Sequence, residues 1–273
     1  MNFDAREQSL AQGQPVRLYQ FSRGVLHWSY NTSDRDITWN NQIFRTIRGG
    51  IIDSGIVQSG DPEADKLTIT APADLEVAQL WRGVPPSDQT ELVIYDMHWV
   101  DSEALVTWLG SVSGVNWPTL DTASITCLTL DAELDQPGLT DTYSRTCLAV
   151  WGDARCKVNT SSYMLIAPIQ GVTGAAVTAG AAAAYADGWF SGGYAEWPVG
   201  SGNYDRRFIE QHTGDQLVML GGTSGMPTSG VLRVYPGCDG LITTCQGKYG
   251  NKDNFRGEPQ LQGESPFDGN QVW

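Results

Sequence analysis

The chain has 273 residues, enough for one large domain or two modest ones with sizeable cores. With 41% hydrophobic and 18% charged residues its composition is that of a globular protein and not of a disordered one. A formal net charge of -14 disfavours nucleic acid and anionic lipid as partners, since both are bound through Lys and Arg.

The N-terminal MNFDAREQSL has neither a basic start nor an apolar stretch, and the longest apolar run, Ala181–Ala186, is too short to span a bilayer. Folding in a cytoplasm, with reduced thiols and no membrane binding, is therefore expected. Generous Gly, Trp and Tyr favour strands and tight turns. From Pro15 to Asp131 the pattern alternates with the period of half-buried strands. VRLYQF, ITWNNQIFRTI, KLTITA, ELVIYDMHWV, ALVTWLGSVSGVNW and ASITCLTL each read as one strand, separated by turns such as Thr32–Asp34, Ser59–Pro62 and Val84–Asp88. One short helix is predicted over Asp74–Trp81, with Asp74 as N-cap and Leu75, Ala78 and Leu80 on its buried side.

Pro137-Gly138 marks a turn, and YSRTCLAVWGDARCK then places a cysteine near each end of a segment without alternation. Gly171–Asp187 is Ala-rich, but its glycines favour a loop or a loose strand pair over a buried helix. Trp189–Val234 returns to short strands broken by glycine. From Gly250 onward only Gly, Pro and polar residues with a few aromatics remain, the composition of an extended tail ordered by packing on something else. The expected class is mainly β, with barrel or sandwich domains and little helix. The divisions are 1–142, a cysteine-bearing region over 143–253, and a tail over 254–273.

Five cysteines, an odd number, fit a disulfide framework poorly. Cys147 and Cys156 are separated by eight residues and Cys238 and Cys245 by six, as in two loops converging on one metal. Structural zinc usually has tighter knuckles, and none of His27, His98 or His212 lies near a cysteine in sequence. Cys127, inside ASITCLTL, reads as a small core residue. Four ordinary thiols would explain the spacing equally well, but the local charge favours a metal. Tyr143–Val158 and Arg233–Gly257 carry seven basic and three acidic residues, a net +4, against -18 for the rest of the chain. Cations around four thiolates would stabilise an anionic centre.

YSRTCLAVWGDARCKVN, followed much later by PGCDGLITTCQGKYGNKDNFRGEPQLQG, resembles a family of phage tail proteins that includes the tail tip protein L of phage lambda and the hub protein of gene transfer agents. The shared marks fall on Cys147, Gly152, Asp153, Cys156, Gly237, Cys238, Asp239, Cys245 and Asn254–Gly257, and DGWFSGGYAEW resembles the strands before the second pair. Pro259-Gln260 departs from the family's Pro followed by His or Phe. The resemblance implies a homotrimeric baseplate hub of β-rich hub domains, closing the tail tube at the virion's tail tip and assembled in the bacterial cytoplasm. It also implies that Cys147, Cys156, Cys238 and Cys245 ligate an iron–sulfur cluster of the 4Fe-4S type. Neighbouring tail proteins are the expected partners, and Phe255, Phe267 and Trp273 are the apolar anchors of the docking tail.

No P-loop, HExxH, Gly-x-Ser-x-Gly elbow or Gly-x-Gly-x-x-Gly is present, so no catalytic residue is assigned and an enzyme is not expected. Two other readings fit the residues: a small iron–sulfur redox protein, and a sugar-binding tail adhesin using Trp189, Tyr194 and Trp197. Aromatics among strands are more often core or interface.

Overall fold

Alternating apolar residues fold into strands where one face can be buried, and most of the first half of the chain does this. The computed structural model describes residues 3–9, 11, 13–57, 59–60, 65–99, 103–130 and 141–261. Sixteen strands and three short α-helices lie among them. The molecule is mainly β, as its composition and periodicity predict. Pro137-Gly138, Phe267 and Trp273 lie outside the described residues, as does part of the Ser59–Pro62 turn. Among the described residues no helix is long and apolar enough to cross a membrane.

The chain divides into two compact units, one of Met1–Gln136 with Pro198–Asp205, the other of Pro137–Trp197 with Arg206–Trp273. The first carries a nine-stranded sheet in the order β3-β4-β2-β1-β7-β8-β9-β6-β5. Its strands are β1 (Pro15–Arg23), β2 (Leu26–Asn31), β3 (Ile37–Trp39), β4 (Gln42–Thr46), β5 (Ile52–Asp53), β6 (Leu67–Pro72), β7 (Glu91–His98), β8 (Ala104–Asn116) and β9 (Thr122–Thr129). β1 buries residues on both faces. Tyr19 and Phe21 join Ile69, Leu92, Ile94 and Ile125 in the main core. Val16 and Leu18 pack instead with Ile37, Phe44 and Met97. A second core on the opposite face is what the β3–β4 hairpin adds, and it explains why β1 lacks a solvent side.

That hairpin corrects the reading of ITWNNQIFRTI as one strand. Asn40 and Asn41 adopt left-handed backbone, φ 49° and 63°, and reverse the chain so that Trp39 pairs with Gln42. Asn tolerates this conformation through its short polar side chain, which suits a two-residue turn. The expected helix is shorter than Asp74–Trp81. It spans Glu76–Gln79, Leu75 occupies the N-cap position without a side-chain hydrogen bond, and Asp74 is exposed. Leu75, Val77 and Ala78 are buried against the main core.

The second unit carries a seven-stranded sheet in the order β10-β16-β13-β14-β15-β12-β11. These strands are β10 (Leu165–Pro168), β11 (Gly171–Thr173), β12 (Ala176–Thr178), β13 (Tyr194–Gly200), β14 (Asn203–Thr213), β15 (Gln216–Met219) and β16 (Val231–Tyr235). The Ala-rich stretch forms the β11–β12 strand pair, followed by a 3-10 turn over Gly180–Ala184, and not a buried helix.

Candidate metal centre

The cysteine-bearing segments lie outside this sheet, so their backbone polar groups must be satisfied by each other. Cys147 donates its N–H to the Gly240 carbonyl (2.8 Å), Glu258 donates to Ser144 (2.8 Å), and Leu148 donates to Arg256 (3.4 Å). The first cysteine segment is thereby fixed against both the Cys238–Gly240 turn and the Arg256–Glu258 stretch.

Two aspartates shape the turns next to the thiols. The Asp153 carboxylate accepts N–H groups from Cys156 (2.6 Å), Arg155 (2.9 Å) and Val150 (3.1 Å). These bonds, that of Cys156 foremost, hold its pKa below the ordinary carboxylate value. Gly152 beside it has φ 82°, and a Cβ there would collide with the Thr160 side chain, so only glycine suits the turn. Asp239 accepts from Leu241 N–H (2.9 Å) and the Thr244 hydroxyl (2.8 Å). It thus steadies the start of the helix Ile242–Gly247, which carries Cys245.

Asn251 joins one cysteine of each pair. Its amide Nδ2 donates to the Cys156 carbonyl (2.6 Å) and points at Cys156 Sγ (3.7 Å). Its backbone N–H donates to the Cys245 carbonyl (3.0 Å), and its own carbonyl accepts from Cys245 Sγ (3.3 Å). Sequence reasoning missed this residue, because an Asn in a Gly- and Lys-rich stretch reads as ordinary turn material. The Cys147 sulfur in turn accepts the Arg256 N–H at 3.3 Å.

All five cysteines are free. Cys127 is fully buried in the main core of the first unit, where desolvation pushes its thiol up to about 12. The other four come together. Burial foremost raises the Cys245 thiol, and the charges of Cys238, Cys147 and Cys156 add to the rise. Cys238 is raised by burial too, with Asp239, Cys156 and Cys147 adding to it. Each thiolate makes the next harder to form, as expected when four like charges face one another. Cys156 and Cys245 are buried. Cys147 and Cys238 are half-exposed and line a cleft of about 410 Å³ together with Trp151, Tyr194 and Gly193.

Aromatic rings wall the site. Trp151 and Tyr249 lie 5.6 Å apart between centroids, Tyr163 meets Tyr249 edge-on at 5.1 Å, and Tyr194 stacks on Tyr235 at 4.6 Å. Trp197 is only 1% exposed, so Trp189, Tyr194 and Trp197 make no open platform for a sugar. Tyr249 donates its hydroxyl to the Gly237 carbonyl at 2.6 Å. Gly237 also crosses the Ser191–Gly193 backbone so closely that any Cβ would overlap Ser191 and Gly192. This crossing explains the glycine before Cys238.

The cations are arranged more selectively than the charge count implies. Arg155 pairs with Asp141 (3.0 Å) and Asp153 (3.5 Å), and Arg256 offers its backbone N–H to Cys147. Lys248 is half-buried. Desolvation draws its ammonium below the usual value, while Cys238 and Asp239 pull it back up. Phe255 is half-buried and its ring edge closes on Gly257, so it belongs in part to this site.

Among the described residues no three Cys, His, Asp or Glu side chains stand close enough together to hold a metal ion. A single ion draws its thiolates into one tight tetrahedron, whereas a multi-iron cluster keeps its four thiolates farther apart. Four free thiols, with N–H donors aimed at two of the sulfurs, are the type of donor set that an iron–sulfur cluster takes.

The family model described as the N-terminal attachment domain of the baseplate hub protein matches residues 19–159. A second, described as phage conserved hypothetical protein BR0599, matches residues 188–265. An uncharacterized protein of Xylella fastidiosa (strain 9a5c) is 36% identical over 124 residues, covering 41% of this chain and 25% of that relative. The chain thus spans a quarter of the relative's length. A chain from the virion of a native gene transfer agent particle shares the fold, with a TM-score of 0.79 at 21% identity over 98% of this chain and 95% of that one. The hub attachment model covers just over half of the sequence, and the chain belongs to its family, the phage baseplate hub proteins, structural components of the virion tail.

Proposed function

We propose that the chain is a homotrimeric hub subunit joining the tail tube to distal tip proteins, with its second unit organised around a 4Fe-4S cluster held by Cys147, Cys156, Cys238 and Cys245. The observation that carries the cluster is that two distant cysteine pairs, free of disulfides, are joined by the Cys147–Gly240 backbone bond and by Asn251, which binds both Cys156 and Cys245. When bound, the cluster supplies the strong iron–thiolate bonds that fix four chain segments at one point. The chain's own residues prepare that point. Asp153 and Asp239 set the two turns, Asn251 braces Cys156 against Cys245, and the Arg256 N–H stabilises the Cys147 sulfur.

The test is anaerobic purification followed by iron and acid-labile sulfide analysis and a visible spectrum. Brown protein that bleaches with chelator and contains iron and sulfide is expected. Stoichiometric zinc without sulfide would overturn the cluster. For assembly, the proposal assigns the tail carrying Phe267 and Trp273, with Phe255 at its base, to docking on neighbouring tail proteins. A chain lacking Glu264–Trp273 should keep the cluster yet fail to complement a hub-null phage. Normal infectious tails from that truncation would remove the docking role.

A further inference from the structure

Lys248 directly follows the helix that carries Cys245. Its ammonium donates to the carbonyls of Trp189 (2.6 Å) and Gly237 (2.9 Å), so its hydrogen bonds go to backbone and not to a carboxylate. It also lies over the rings of Trp189, 4.6 Å from the centroid, and Tyr249, at 5.5 Å. Gly237 is the residue before Cys238. One side chain therefore ties together the strand-leading loop at Trp189, the turn of one cysteine and the helix end of another.

Carbonyls and ring faces carry only partial negative charge, and a half-buried ammonium wants a full one. The acidic groups nearest in the chain to the Gly237 carbonyl that Lys248 binds are those of Cys238 and Asp239, and both raise the lysine pKa against its desolvation. Asp239 is already committed to Leu241 and Thr244. The lysine charge is thus left to balance the thiolates. Arg155 cannot do the same, since its guanidinium is taken by two aspartates.

We propose that Lys248 is the fixed counter-cation of the four-thiolate centre, a positioning residue that both clamps the Cys238 turn and offsets the negative charge gathered there. The proposal rests on the cluster reading above. A tether alone needs only a donor of the right length, whereas a counter-cation needs its charge, and reduction separates the two. In a potentiometric titration dithionite would give one electron to each oxidised cluster, making it one charge more negative, so a nearby cation would favour the reduced form.

The experiment compares wild type, Lys248→Met, Lys248→Gln and Lys248→Arg in the full chain, after iron and sulfide analysis of each. In Lys248→Met the equilibrium constant for reduction should fall about tenfold, or about 59 mV toward negative potential for a one-electron couple. Lys248→Arg should return most of the difference. Lys248→Gln, which keeps a donor without the charge, should shift the potential or lose the cluster as Lys248→Met does, and a wild-type potential in Lys248→Gln would overturn the charge role. Equal potentials in all four, or equal loss of the cluster from Lys248→Met and Lys248→Arg, would overturn the role and leave only a shape requirement. Wild-type protein without iron and sulfide would remove the cluster reading itself, and this role with it.

Discussion

Cys127 differs from the other four cysteines in neighbours and proposed task, and replacing it tests the division of labour. It is fully buried on β9, paired across to Leu67 on β6 and Val112 on β8. Cys127→Ala removes one sulfur from this packed core. The loss of a methyl-sized group costs about 1 kcal/mol when the cavity cannot collapse. Cys127→Ser keeps the volume but places a hydroxyl among Ile69, Ile125 and Val112, where desolvation without a partner costs about 1–3 kcal/mol. Serine should therefore be the more harmful change, although it is the closer isostere. Thermal unfolding with both variants gives the order directly, with a drop of several degrees for serine. The visible spectrum and iron content should stay at wild-type levels in both. Bleached protein from Cys127→Ala would refute the assignment of ligands, and serine outperforming alanine would refute the burial argument.

Three other changes probe the site and the first unit. Gly237→Ala drives a methyl group into the Ser191–Gly193 backbone and should cost about 2–3 kcal/mol in chemical denaturation, with faster iodoacetamide labelling of Cys238. Asn251→Ala strands the Cys156 carbonyl and should cost about 1–2 kcal/mol and shorten the chelator half-time of the centre, an effect that an unchanged half-time would exclude. Asp53 accepts from Tyr19 (2.5 Å) and Arg17 (2.8 Å), bonds that outweigh its desolvation and lower its pKa below the ordinary 3.8. Its contribution is present above that value and is lost as pH falls through the lower folded value. Asp53→Asn should thus cost about 2 kcal/mol at pH 7 and little in strong acid, and a pH-independent difference would contradict this account.

Much of the first sheet is legible because burial on one face imposes a period of two. β6, β7, β8 and β9 lie where the alternation of KLTITA, ELVIYDMHWV, ALVTWLGSVSGVNW and ASITCLTL puts them. Alternation over so few residues does not by itself mark where a chain reverses. Asn40-Asn41 breaks the alternation: its continuation from Ile37 and Trp39 would bury Ile43, whereas the left-handed turn exposes Ile43 and buries Phe44. The paired thiols are equally visible, since cysteine spacing is a property of the chain. Their supporting groups are not. Asn251 and Lys248 act through contacts that cross from one segment to another, and no local pattern marks them. The charge contrast is a partial guide only, for Arg155 spends its charge on Asp141 and Asp153.

What the centre does for the fold follows from what surrounds it. Residues 141–159 contain no strand or helix, and residues 236–261 contain one α-helix of six residues and a 3-10 turn. The buried cluster they form is small, centred on Cys156, Val158 and Tyr249. Ordering so many residues carries a large entropic cost, and little apolar burial is present to offset it. Small irregular scaffolds meet this shortage with covalent or metal staples. Disulfides are absent, and the thiols that would form them are the groups gathered at the centre. Metal binding at such a place is folding free energy, because the unfolded chain has no preformed site. On the proposed function, a bound cluster would therefore act as the staple of the second unit and not as an electron carrier placed upon it. Chelation should accordingly release the segments around Cys147 and Cys245 to hydrogen exchange while the strands of the first sheet stay protected. Uniform protection before and after chelation would show that the segments hold themselves.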